Sequence, residues 1–95
     1  MTEIKNMKVT LFANLVVCKV KQNEWNSVLL VTDQIMEMDP KHKKSLYYRA
    51  KSQKELEKFK DATETINSYL ELYPEDADGK NLQIAIQKAW RHDQE

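Results

Sequence analysis

Glycine is nearly absent from this chain: Gly79 is the single one in 95 residues. Sheets turn on hairpins rich in Gly and Asn, so this scarcity argues against a strand-rich fold. The lone cysteine, Cys18, has no internal partner. That excludes a disulfide framework and points to the cytoplasm or another reducing intracellular compartment. The longest apolar run, Leu15-Val16-Val17-Cys18, is far shorter than the roughly 18–20 residues of a membrane span. Glu3, Asn6 and Lys8 interrupt the opening residues, which therefore show no apolar signal-peptide core. Net charge is also missing, because 15 Lys+Arg balance 15 Asp+Glu. A neutral chain gives no electrostatic case for nucleic acid, and the short basic run KHKK at 41–44 is too small to supply one.

Catalytic constellations are absent in the same way. There is no Gly-rich phosphate loop, no Ser-His-Asp set and no paired buried carboxylates. His42 is expected in a loop and His92 in a terminal turn, without metal-ligand spacing. Cys18 stands where a small apolar residue packs on a helix, so a buried structural thiol is expected rather than a nucleophile. The chain reads as a non-enzyme without metal or cofactor.

What is present is helix. Charged residues make up 32% of the chain, and the apolar ones recur at helical spacing. Val9, Phe12, Leu15, Val16 and Val20 form one stripe that runs to about Lys21. Asn23, a residue that tolerates left-handed backbone, closes it. Trp25, Val28, Leu29, Thr32, Ile35 and Met36 form the next stripe, stopped at Asp39-Pro40 because proline disfavours helix in the residue before it. Leu46, Tyr47, Ala50 and Gln53 begin a third helix that ends near Leu56, with Glu57-Lys58 as the break. Phe59, Ala62, Ile66, Tyr69 and Leu70 give a fourth, stopped at Tyr73-Pro74. Leu82, Ile84, Ala85, Ala89 and Trp90 mark a fifth, capped by Asp76 or Asp78, with Gly79 early in it.

The two prolines lie 34 residues apart (74 − 40), and each closes a helix–turn–helix unit. This period resembles the tetratricopeptide repeat (TPR), whose pattern places an aromatic, a Leu and a small residue on the first helix, then A-x3-F and a closing proline. Phe12, Leu15, Val16, Trp25 and Val28 fill these places in one unit, and Leu46, Ala50, Phe59, Ala62 and Ile66 in the next. Lys19, Arg49, Gln53 and Glu57 depart from the pattern, Glu57 at the turn glycine. Small residues at Ala50 and Ala62 suit close helix approach. The resemblance implies an all-α fold of antiparallel helix-pair repeats: two TPR motifs plus a C-terminal capping helix in a short right-handed α-solenoid. Residues 1–6 are then a lead-in, 7–40 and 41–74 the two motifs, and 75–95 the capping helix and polar tail.

ANLVVCKVK at 13–21 and KKSLYYRAK at 43–51 are most similar to the last two repeats of immunophilin-type co-chaperones. That resemblance implies a protein-interaction module that binds a peptide or an acidic C-terminal segment, such as a chaperone C-terminus, in its concave groove. Asn14 and Lys44 fall on two positions of the family's carboxylate clamp, whereas Tyr48 stands in place of a clamp Arg. Asn14, Val17, Lys21, Lys44, Tyr47, Tyr48 and Lys51, together with Thr10 and Ala13, are the expected groove residues. The alternative is a structural subunit that docks, or self-associates, through its N-terminal helix face. With only a short lead-in before the first unit, Leu11, Val28, Leu29 and Val31 are expected to be exposed there.

Overall fold

The computed structural model describes residues 2–94, with side chains described from 8 to 92. All of its regular structure is helical: α1 (Thr2–Lys21), α2 (Trp25–Met38), α3 (Lys43–Glu55), α4 (Phe59–Leu72) and α5 (Ala77–Gln94). Helix α1 begins at Thr2, well upstream of the first apolar residue of its stripe, so residues read as a lead-in continue the first helix. The side chains of 1–7 and 93–95 lie outside the described set.

The helix ends carry the 34-residue period in their backbone hydrogen bonds. At the end of α1, Glu24 N–H donates to Lys19 C=O and Asn23 N–H to Val20 C=O; at the end of α3, Lys58 N–H donates to Gln53 C=O and Glu57 N–H to Lys54 C=O. Both pairs are the six-to-one and five-to-two bonds of a Schellman closure, which needs a left-handed residue in the middle. Asn23 (φ 58°) and Glu57 (φ 62°) supply it. The expectation for Asn23 is met, and Glu57 adopts at the turn position the conformation that a glycine would take most cheaply. The proline stops repeat as well. Asp39 N–H donates to Ile35 C=O and Tyr73 N–H to Tyr69 C=O, ending α2 and α4 one residue before Pro40 and Pro74.

Each helix packs on its neighbours in sequence, and α3 also touches α1 and α5. Two apolar clusters result. Val9, Val16, Val28 and Ile35 join α1 to α2, with Trp25, Val31 and Tyr48 packed against them. Leu46, Ala50, Ala62, Ile66, Tyr69, Leu82 and Ile86 join α3, α4 and α5. Ala50 and Ala62 have no exposed surface, as the close-approach reading requires. The molecule is elongated, with extents of 50 × 28 × 19 Å.

Two expectations are corrected by the packing. Cys18 is exposed. It lies two residues, roughly 200° of helix, beyond Val16, which is buried, so it points outward. On α5, Ile86 is fully buried whereas Ile84 is 47% exposed, so the inward stripe runs through Leu82 and Ile86. His42 lies in the α2–α3 loop as expected and is also the N-cap of α3, where its Nδ1 accepts from Ser45 N–H.

Polar groups fill two places where the repeat pattern asks for apolar ones. Gln53 is buried and its Oε1 accepts from Thr65 Oγ1 at 2.7 Å. Arg49 reaches across to α2, donating to Thr32 Oγ1 at 3.1 Å and forming an ion pair with Asp33. Gly79 lets α5 lie on α4, since a Cβ there would fall 2.7 Å from Tyr69 Cδ1 and 3.1 Å from Leu70 Cδ2.

Two stability measurements follow from these contacts. Glu57→Gly relieves a left-handed penalty of about 1–2 kcal/mol, partly offset by the about 0.5–1 kcal/mol that glycine's backbone freedom costs. Thermal unfolding should therefore show a midpoint a few degrees higher. Gly79→Ala should lower it, because overpacking of about 1–3 kcal/mol outweighs the about 1 kcal/mol that alanine gains in helix propensity.

Candidate functional site

The first nine residues of α3 carry Lys43, Lys44, Tyr47, Tyr48 and Lys51. Spacings of three, four and seven residues put Lys44, Tyr47, Tyr48 and Lys51 along one side of the helix. They form one wall of an open cavity of about 490 Å³, whose other lining residues are Lys43, Tyr69 of α4, and Asp76 and Asp78 at the start of α5.

The floor is a chain of tyrosine rings. Tyr47 meets Tyr48 edge-on at 5.5 Å between centroids, Tyr47 lies 6.1 Å from Tyr69, and Tyr69 lies 5.4 Å from Tyr73. Edge-to-face and tilted pairs at such distances are the favoured aromatic arrangements, so the floor is both apolar and well located. Burial, helped by the nearby Asp78, Tyr48 and Asp76, holds the Tyr47 hydroxyl above its ordinary pKa. Burial and the hydrogen bond to Asp76 push Tyr69 up further. Both hydroxyls are therefore neutral donors at physiological pH.

Asp76 fastens the α5 end of the cavity. Its Oδ2 accepts from Tyr69 Oη at 2.7 Å and from Gly79 N–H at 2.9 Å, and its Oδ1 pairs with Lys43 Nζ at 3.0 Å. This settles the α5 cap in favour of Asp76 over Asp78. Lys43 also lies over the Tyr73 ring, 5.3 Å from its centroid, and Tyr73 Oη donates to Lys41 C=O at 2.7 Å. The Tyr69 hydrogen bond, then those from Lys43 and Gly79, hold the Asp76 carboxyl down to about 2.

The remaining charges are uncommitted. Among the described residues neither Lys44 nor Lys51 has an ion-pair partner, and neither has Asp78. The cavity is thus polarised, with two free ammonium groups along α3 and a free carboxylate at α5. Seven residues of helix separate the two lysines by about 10 Å, the length of roughly three residues of extended chain.

Of the residues expected to form a groove, Lys44, Tyr47, Tyr48 and Lys51 line this cavity and Asn14, Val17 and Lys21 do not. Asn14 and Lys21 are exposed on α1 and Val17 is half-buried. The cavity faces α5 instead, and Lys43, Tyr69, Asp76 and Asp78 are the members that the sequence did not indicate. The signal for Asp76 and Tyr69 was the Asp-x-x-Gly helix start with an aromatic one turn before Tyr73. The docking candidates divide similarly. Leu11 is 65% exposed, Leu29 is half-buried, Val31 packs on the α1–α2 cluster and Val28 has no exposed surface. Leu30, between them, is 66% exposed.

Among the described residues no group of three His, Cys, Asp or Glu could hold a metal ion, and no helix is long and apolar enough to cross a membrane. No protein-family model matches the chain, and no curated protein matches it.

The Asp76 junction makes a pH prediction. A carboxyl at about 2 when folded, against an ordinary 3.8, stabilises the fold fully above pH 3.8 and loses that contribution as the pH falls toward 2. In unfolding measurements between pH 5 and 2, about the titration range of carboxylates, Asp76→Asn should show a shallower loss of stability than the parent chain. Carboxyl NMR of Tyr69→Phe should place Asp76 nearer 3.8, and an unchanged titration would contradict the assigned hydrogen bond.

Proposed function

We propose that this chain is a non-catalytic protein-interaction module of TPR type, a short solenoid of two helix pairs and a closing helix. In this reading it grips an extended acidic peptide in the α3–α5 cavity, in the manner of co-chaperone repeats. The observation that carries the proposal is the pair of uncommitted lysines, Lys44 and Lys51, flanking a tyrosine floor. Helix-pair repeats offer their first helices as a row of side chains, and an extended segment laid along that row meets positions three, four and seven residues apart. The identical closures at Asn23 and Glu57 support the repeat reading.

The charges specify the peptide. Acidic side chains or a terminal carboxylate about three residues apart reach Lys44 and Lys51, and an apolar side chain between them rests on Tyr47 and Tyr48. Asp78 repels acid at the α5 end, so the acidic part of the ligand lies over α3. Charge-assisted hydrogen bonds supply the affinity, and the tyrosine rings add apolar contact.

A fluorescein-labelled peptide with two glutamates flanking a leucine and a free C-terminal carboxylate tests this. Its anisotropy titration should saturate and weaken with added salt. Lys44→Ala and Lys51→Ala should each reduce affinity about tenfold or more, the worth of one hydrogen bond between charged groups. Asn14→Ala, outside the cavity, should leave binding unchanged. Equal binding of the glutamine version of the peptide would refute the reading.

A further inference from the structure

Positions 34 residues apart occupy equivalent places in the backbone hydrogen-bond pattern, so residues 11, 45 and 79 correspond, as do 15, 49 and 83. On α3 and α5 this line is covered by the helix before it. Tyr69 and Leu70 of α4 close over Gly79, and Gln83 Nε2 donates to Asn67 Oδ1 of α4 at 2.9 Å. Ser45 is 1% exposed, and Arg49 pairs with Asp33 of α2, the residue equivalent to Asn67. On α1 the same line is Leu11 and Leu15, which are 65% and 40% exposed.

The covering helices share a charge. Helix α2 carries Asp33 and Glu37 and no base, and α4 carries Asp61, Glu64 and Glu71 against Lys60 alone. Of the helices they cover, α3 is lysine-rich, and α5 carries Lys80, Lys88 and Arg91 against Asp78 and Asp93. From residue 8 to residue 21, α1 has Lys8, Lys19 and Lys21 and no acid. We propose that the Leu11–Leu15 line of α1 is a docking surface for an acidic amphipathic helix of another protein, seated on α1 as α2 sits on α3 and α4 on α5. A second copy of α1 is disfavoured because it would set base against base.

The side chains also state what that helix presents. Ser45 and Gly79 leave room that large residues fill from the covering helix, whereas Leu11 fills the room itself, so a small residue faces it. Leu15 replaces the polar Arg49 and Gln83, so an apolar residue stands where α2 has Asp33 and α4 has Asn67. This inference uses no residue of the α3–α5 cavity and is independent of peptide binding there.

The probe is a labelled 14-residue peptide with the sequence of α4, Phe59–Leu72, carrying Asn67→Leu and Tyr69→Ala. It should bind the full chain saturably. A double Leu11→Glu, Leu15→Glu variant should bind it at least about tenfold more weakly, through lost apolar contact and charge repulsion. Both sites are exposed, so circular dichroism and the thermal midpoint should match the parent chain. Lys44→Ala with Lys51→Ala should leave this binding intact, which separates it from the cavity. Three results would overturn the proposal: no saturable binding, equal binding by the double glutamate variant, or a dimer in light scattering that Leu11→Glu returns to monomer.

Discussion

Every other helix of the molecule packs against α3, and α3 has few large apolar side chains with which to receive them. Its buried residues are Ser45, Leu46, Ala50, Ser52 and Gln53. Small side chains solve a geometric problem, because four neighbours can approach one helix only where its surface is low. The cost is polarity in the interior. Gln53 meets it with Thr65, and Arg49 with Thr32 and Asp33. Ser52 Oγ is left without a hydrogen-bond partner among the described residues. The four neighbours of α3 leave open the face that carries Lys44, Tyr47, Tyr48 and Lys51.

The two Schellman closures explain why α3 can be shared. Each reverses the chain within three residues, so α1 and α2, and then α3 and α4, pack back against one another. The proline stops then release the chain at the same point of each unit. Asp76 completes the arrangement from the far side. One carboxylate accepts from a tyrosine of α4, the ammonium of α3 and the first turn of α5, so the closing helix is held to both members of the second pair.

Much of this was legible in the sequence, because it depends on local rules. Proline position, the left-handed tolerance of Asn23 and the placement of Ala50 and Ala62 each have a one-residue cause. Five helices with breaks at 22–24, 39–42, 56–58 and 73–76 follow from them. Errors arose where a stripe was weak or where partners lay far apart in sequence. Cys18 and Ile84 sit beside apolar neighbours in sequence, yet each lies two residues, roughly 200° of helix, from the buried Val16 or Ile86 and points outward. The cavity is legible only in part, for a different reason. Its α3 wall is a local pattern, whereas its opposite wall joins Tyr69 and Asp76 by a hydrogen bond between two elements, of which the sequence shows only the Asp-x-x-Gly helix start. Asn14, Val17 and Lys21 lie outside this cavity, whose lining turns toward α5.

The functional account rests on a division of surfaces: a polarised, tyrosine-floored cavity between α3 and α5, and an apolar line on α1. Amide chemical-shift mapping with the acidic peptide tests it most directly, since it reads every residue at once and needs no substitution. The account predicts that saturating shifts cluster at Lys44, Tyr47, Tyr48, Lys51 and Tyr69 while Leu11 and Leu15 stay still. Shifts centred on α1, or spread without a cluster, would contradict it.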